Sequence, residues 1–353
     1  MRGGVASPHP STAYVLHMRG DRDLPMDQAT IFVAAVLAAG APLIFATMGE
    51  TLTERAGVVN LSLDGTILMG AMIAFAVALN TQSVLLGFGA AALTGALIAL
   101  ALCFLSLSLR QSQTAVGFVL ALLGTELSSF LGAPFARVPG PAVPFLPIPG
   151  LADLPLIGPI LFRHDLAIYT SFLLVPLLSW LLFQTRAGLT LRALGERPQA
   201  AYARGVPVVP MRYLVTMAGG ALVGIAGAVY SLDLKQGWSY RHTSGAGWIA
   251  LAIVIFGGWR PWRVALGCYL FAALEILALR MQSALAGLPT QVFQVAPFAL
   301  MIAVLALVNL AGSQRVSRRI SGLPPVLRRP AQELVRRLAA PAPAALGQPF
   351  ERP

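Results

Sequence analysis

Residues able to do chemistry are few in this chain, and their spacing excludes most enzyme classes. The histidines, His9, His17, His164 and His242, are scattered and form no metal-ligand pattern with cysteines or carboxylates. Cys103 and Cys268 each sit inside an apolar run, where they read as packing residues rather than a disulfide or metal pair. There is no Gly-x-Ser-x-Gly elbow and no His-Glu-x-x-His. A phosphate-binding P-loop needs Gly-Lys-Ser/Thr, and the sole lysine, Lys235, lies between Leu234 and Gln236. The chain is therefore read as a non-enzyme needing neither metal nor cofactor. If ATP drives its work, another polypeptide binds and hydrolyses it.

What remains are carboxylates in apolar surroundings. A charge at the centre of a bilayer costs about 2.5–3.5 kcal/mol, so such groups face protein or water. Asp64 starts an apolar run, where it either caps its helix or touches a transport pathway. Glu126 lies deeper in its run and either lines a polar cavity or makes an internal hydrogen bond. Glu275, with Arg280 about one and a half turns on, reads as structural, and Glu50, Glu54 and Arg55 as a local interfacial charge cluster.

The elements that position these groups follow from composition. The 353 residues are 57% hydrophobic and only 11% charged, against about 25% charged in soluble domains, which excludes a soluble enzyme, a disordered chain and a coiled coil. Apolar runs of about twenty residues, enough to cross roughly 30 Å of hydrocarbon, fall near 30–48, 61–80, 84–107, 114–132, 166–183, 213–231, 242–258, 263–281 and 291–311. The predicted fold is all-α, a polytopic transmembrane helix bundle of about nine (8–10) segments. Small-residue faces such as Gly220, Gly224 and Gly227, or Gly87, Ala91 and Gly95, predict close helix–helix contact.

The few charges set the topology. The net charge of +11 comes from arginines between apolar runs and in the tail, a positive-inside pattern rather than a nucleic-acid surface. Stretch 184–212 carries Arg186, Arg192, Arg197, Arg204 and Arg212 against Glu196 alone, and Arg315, Arg318, Arg319, Arg328, Arg329, Arg336 and Arg337 follow residue 311. Both should be cytoplasmic, and four crossings between them keep them on one side. If 242–258 is re-entrant, that count changes. The organisation is then a polar arm at 1–28 without the apolar core of a signal peptide, a membrane domain at 29–311, and a basic, disordered tail at 312–353. Within the domain, 133–165 is a proline-rich extracytoplasmic excursion and 186–212 a cytoplasmic loop. Pro198 fits a helix start and Gly205 a helix stop, predicting a short helix near 198–204. Such a helix is unstable alone, and its alanine-rich face suits docking to a soluble subunit.

Three blocks in order carry a family resemblance. Leu191-Arg-Ala-Leu-Gly-Glu-Arg-Pro-Gln-Ala-Ala201 resembles the coupling loop of ABC importer permeases of the branched-chain amino acid, ribose and simple-sugar group. Glu54-Arg-Ala-Gly-Val-Val-Asn60, running on to Asp64-Gly65, resembles the signature of the nucleoside and simple-sugar permeases. The segment from Trp248 to Pro261 is similar to a third block of that group, and the likeness covers roughly residues 30–311. It departs from the group at Ala121, where an Asn is usual, near Glu126, where a small residue is expected, at Trp262 and Arg263, and in the tail. The resemblance implies a multi-pass permease subunit of the bacterial inner (cytoplasmic) membrane with its C-terminus in the cytoplasm, passing a nucleoside or simple sugar. It implies a second, related permease subunit, an extracytoplasmic substrate-binding protein, and an ABC ATP-binding subunit docked on Arg192, Ala193, Gly195, Glu196, Pro198, Ala200, Ala201 and Gly205. Pathway candidates are Asn60, Asp64 and Glu126. The alternative is an ion-coupled secondary transporter using Glu126 or Asp64.

Overall fold

The computed structural model describes residues 28–284 apart from 156, 241, 242 and 244, residues 342–351, and scattered helical positions between 292 and 303. The predicted arm at 1–28 therefore lies almost wholly outside the described residues, as do most of the expected crossing at 291–311 and the tail up to 341.

Among the described residues the fold is helical, with two isolated bridges and no strand. Helix α1 is Gln28–Arg55, α2 Leu63–Thr81 and α3 Val84–Cys103, extended by a π-turn at Phe104–Ser108. Helices α4 (Gln113–Gly132) and α5 (Leu166–Gln184) flank the proline-rich excursion. Helices α6 (Arg186–Glu196) and α7 (Pro198–Ala203) form a hairpin, and α8 (Val208–Ala228) continues as a π-turn at Val229–Leu234. The short α9 is Ala246–Gly257, and α10 is Pro261–Ala284. Seven of these segments are long and apolar enough to cross a membrane. Side-chain oxygens start four of the helices: Ser83, Ser112, Asp165 and Thr185 accept from Leu86, Ala115, Ile168 and Gly188 N–H groups.

Helix α8 stands at the centre, against α1, α2 and α3, and small residues set its depth. Gly219 meets Gly49 of α1, Gly224 meets Gly70 of α2, and Gly220 meets Gly95 of α3, in each case backbone on backbone. Lipid tails offer helices no hydrophobic reason to associate, so this close approach supplies the dispersion contact that holds them. Helix α4 packs only on one side, where Ala121 and Gly124 lie on Gly65 of α2.

The predicted crossing at 242–258 is a helix only over 246–257. Twelve residues span about 18 Å, well short of the hydrocarbon thickness. The chain before it starts near the far end of α4, where Trp238 packs on Gly132, and α9 begins against Leu63 and Asp64. Since neighbouring Gly65 faces the middle of α4, helix α9 starts part-way along the bundle rather than at its end.

The proline-rich excursion folds back on itself. Leu146 and Ile148 N–H groups donate to His164 and Phe162 carbonyls at 3.1 and 3.0 Å, and a bridge joins Phe145 to Asp165. His164 is fully buried, with Nε2 2.7 Å from the Ile160 carbonyl and its backbone N–H donating to the Tyr169 hydroxyl. Burial pushes the imidazole below its ordinary value, while the Ile160 carbonyl and the Asp165 carboxylate pull it partly back.

Two outcomes follow. Gly224→Leu drives a side chain into the Ala91 carbonyl, and overpacking of this kind costs roughly 1–3 kcal/mol; thermal unfolding in detergent should shift down by several degrees and dispersity should worsen. For His164, the unfolded chain binds a proton more readily than the folded one, so stability falls as pH drops through about 6.5. The loss of thermal midpoint between pH 7.5 and 5.5 should shrink in His164→Gln.

Candidate functional site

Two places in the fold bring chemistry-bearing groups together. The first is the start of α9. Asp64, in the first turn of α2, accepts the Gly247 N–H on Oδ1 at 3.1 Å. Its carboxylate thus caps a different helix from its own, at that helix's positive end. Beside it the surface opens. Trp248 on α9 and Phe118 on α4 are 41% and 48% exposed, with ring centroids 6.1 Å apart. Glu126 lies two turns further along the exposed side of α4, among Leu122, Leu123, Leu127 and Phe130. A carboxylate there needs another protein surface or water opposite it, because lipid would leave it unsolvated.

The second place is the end of the bundle that carries the α6–α7 hairpin. Arg212, in the first turns of α8, is fully buried. Its Nε donates to the Ala56 carbonyl at 3.1 Å, Nη2 to Leu194 at 3.2 Å and Nη1 to Gln348 at 3.1 Å. Arg55 ends α1 and donates to the Trp259 and Gly258 carbonyls at 3.1 and 3.4 Å. Its Nη1 lies 4.0 Å from Glu196 Oε1, and the guanidinium groups of Arg55 and Arg192 lie over the Phe183 ring, 5.8 and 5.2 Å from its centroid. The Trp259 indole N–H donates to Glu54. Three sequence blocks about 60 to 200 residues apart meet at this junction.

The predicted site residues divide between these places. Asn60 is buried, and its Oδ1 accepts the Ser62 N–H and hydroxyl, turning the chain into α2. Ala193 is half-buried beside Leu194, Ala201 and Val208; Gly195 is buried with its carbonyl accepting from Ala345. Glu196 is exposed, and Pro198 opens α7 as a buried residue. Ala201 faces inward and Ala200 outward, and Gly205 stops the helix in a left-handed conformation at φ +83°, as its position predicts. The hairpin holds more helix than the sequence suggested, because α6 fills 186–196. Glu50 and Glu54 are buried within the protein rather than exposed, because α1 runs seven residues past the predicted end at 48. The oxygens of Glu50 lie beside Glu54 and Asn60, with no donor in hydrogen-bond geometry. Glu275 stands near Lys235, while Arg280 lies over the Phe32 ring at 5.0 Å.

Sequence reasoning missed Arg212, which counted as one more loop arginine, and the roles of Gly247 and Trp259. Nor did it foresee 342–351, which lie against the hairpin in a stretch expected to be disordered. The one available signal for Arg212 was its place two residues past Pro210 at the head of an apolar run.

Residues 32–305 match the family described as branched-chain amino acid transport system / permease component. TsgC13 of Haloferax volcanii, a permease protein assigned to glucose ABC transport, is 40% identical over 73% of this chain and 80% of its own. The guanosine ABC transporter permease protein NupQ of Bacillus subtilis is 36% identical over 69% of this chain and 79% of its own. The nucleoside ABC transporter permease protein NupC of Lactococcus lactis is 33% identical, over 78% and 92%. The chain belongs to this permease family and is a multi-pass membrane protein.

Asp64→Ala strands the Gly247 N–H. A buried unpaired donor costs about 1–3 kcal/mol, so the thermal midpoint in detergent should fall by several degrees, and Asp64→Asn, which keeps an acceptor, should recover most of the loss.

Proposed function

We propose that this chain is the membrane-spanning permease subunit of an ATP-driven ABC importer that passes a nucleoside or simple sugar. The observation that carries the reading is the hairpin. Helix α7 packs Ala201 on Leu194 and Val208 and buries Pro198, yet leaves Gln199, Ala200 and Ala203 exposed, with Arg204 exposed just past its end. A six-residue helix held out in this way is a contact for a soluble partner. No Gly-Lys-Ser/Thr occurs in the chain, so that partner supplies the ATPase. The sugar and nucleoside assignments of TsgC13, NupQ and NupC support the substrate class.

In this reading the hairpin end is cytoplasmic, in keeping with its arginines, and the proline-rich excursion meets an extracytoplasmic binding protein. The exposed side of α4 and α9, with Phe118, Trp248 and Glu126, faces a second permease subunit across the pathway. Aromatic faces suit a base or sugar ring, and a carboxylate suits hydroxyls or amino groups. Asp64 and Asn60 hold the backbone beside that surface. ATP-driven closure of the partners pushes α7. Arg55 and Arg212 pass that push to α1, α8 and α9, tilting packed helices as rigid bodies.

The test is co-expression with candidate ABC ATP-binding subunits and substrate-binding proteins from the same genome, followed by purification and uptake into liposomes. The ATPase should co-purify, and deleting 198–204 should remove it. Glu126→Gln should assemble normally but lower uptake at least fivefold. ATP-independent uptake by this chain alone would overturn the importer reading in favour of ion-coupled transport.

A further inference from the structure

We propose that residues 342–351 form a clasp that closes over the hairpin of their own chain and completes, with the outer face of α7, one composite docking surface for the ATP-binding subunit. The inference rests on the importer reading for its partner, but the clasp itself rests on contacts within the chain.

The segment is held at points belonging to four separate elements. Ala345 N–H donates to the Gly195 carbonyl at the end of α6 (2.8 Å), and Gly347 N–H to the Gly57 carbonyl just past α1 (3.1 Å). Ala344 N–H donates to Glu196 Oε2 at 3.3 Å. The Gln348 carbonyl takes Nη1 of Arg212 in α8, so it supplies one of the three acceptors of a fully buried guanidinium. Leu346 packs on the main core, and Phe350 on Leu194, Ala201 and Val208, with its ring 5.6 Å from that of Tyr202 in α7. Gly347 turns the segment in a left-handed conformation at φ +75°, which suits glycine.

These bonds face inward. On the outside, Ala344, Gln348, Pro349 and Glu351 are exposed. Through the Phe350–Tyr202 contact the segment adjoins α7, whose Gln199, Ala200 and Ala203 are exposed, with Arg204 just past its end. The clasp therefore leaves the coupling helix uncovered and widens the surface around it. It also walls a cleft of about 310 Å³ whose other side is Arg110, Gln111, Ser112 and Thr114 between α3 and α4. A partner seated on α7 meets the clasp as well. Because Arg212 and Gly57 anchor the clasp, load placed on it reaches α8 and the end of α1 directly.

The test uses the full chain co-expressed with its ATP-binding subunit, compared with a chain ending at residue 341 and with Gln348→Trp. The last keeps the backbone carbonyl that Arg212 uses and adds bulk on the outer face only. A Tyr202→Cys/Phe350→Cys pair joined by a short bismaleimide reads clasp position without any partner, since Cys103 and Cys268 are buried. The expected result is cross-linking in the purified chain and at least fivefold less ATPase retained by the shortened chain. Gln348→Trp should retain at least threefold less while the cross-link still forms in its background. Absence of the cross-link overturns the clasp, and ATPase retention at the full-chain level by Gln348→Trp overturns the docking surface even if the shortened chain misfolds. A full chain that cross-links but retains no ATPase overturns the importer reading, and the docking role with it.

Discussion

Helix ends buried in an apolar medium leave carbonyls without partners, and in this fold two arginines supply the donors. Arg212 reaches the carbonyls of Ala56, Leu194 and Gln348, and Arg55 reaches those of Gly258 and Trp259. These bonds tie the ends of α1, α6 and α9 and the start of α8 together, so the four are fixed at a single knot. A buried guanidinium is stable only when its donors are satisfied, and removing acceptors leaves an uncompensated charge. The knot therefore holds together or fails as a unit, and the hairpin cannot move independently of the helices behind it.

Above the knot, packing grades from tight to open. Glycine contacts make α8 with α1, α2 and α3 a closely packed block. Helix α4 hangs on one side of it, attached through Gly65, and keeps its other side exposed, while α9 is mostly buried in the main core and adds only Trp248 and Ile255 to the surface. A transporter needs this division. In the importer proposed above, the rigid block would carry force from the hairpin, and the open side of α4 would offer polar and aromatic groups to the substrate. The half-length α9 fits the same scheme, because a helix that starts in mid-bundle presents its N–H groups there, where Asp64 takes one of them.

Much of this was legible in the sequence. Apolar run length placed most of the long helices to within a few residues, because a bilayer demands about twenty apolar residues wherever a helix crosses. Helix α1, however, runs seven residues past its predicted end, and α8 starts five before its run. Pro198 and Gly205 bounded α7, since missing N–H groups and positive φ are local properties. The short length of α9 was not legible, as the composition of 242–258 is that of a full crossing; the Asp64 carboxylate that caps its start lies on α2, 183 positions away from Gly247.

Charge showed the same limit. By itself the sequence determined that the chain lies in a membrane, which loops carry the arginines, and that no P-loop is present, because these depend on residue type and local spacing. Only the tertiary structure decided that Arg212 is a buried tie rather than a loop charge, that Glu126 lies on an open side of α4, and that residues 342–351 close over the hairpin. The reason is physical. A charge reads identically in sequence whether water, lipid or three carbonyls surround it, and those surroundings exist only once distant segments have packed.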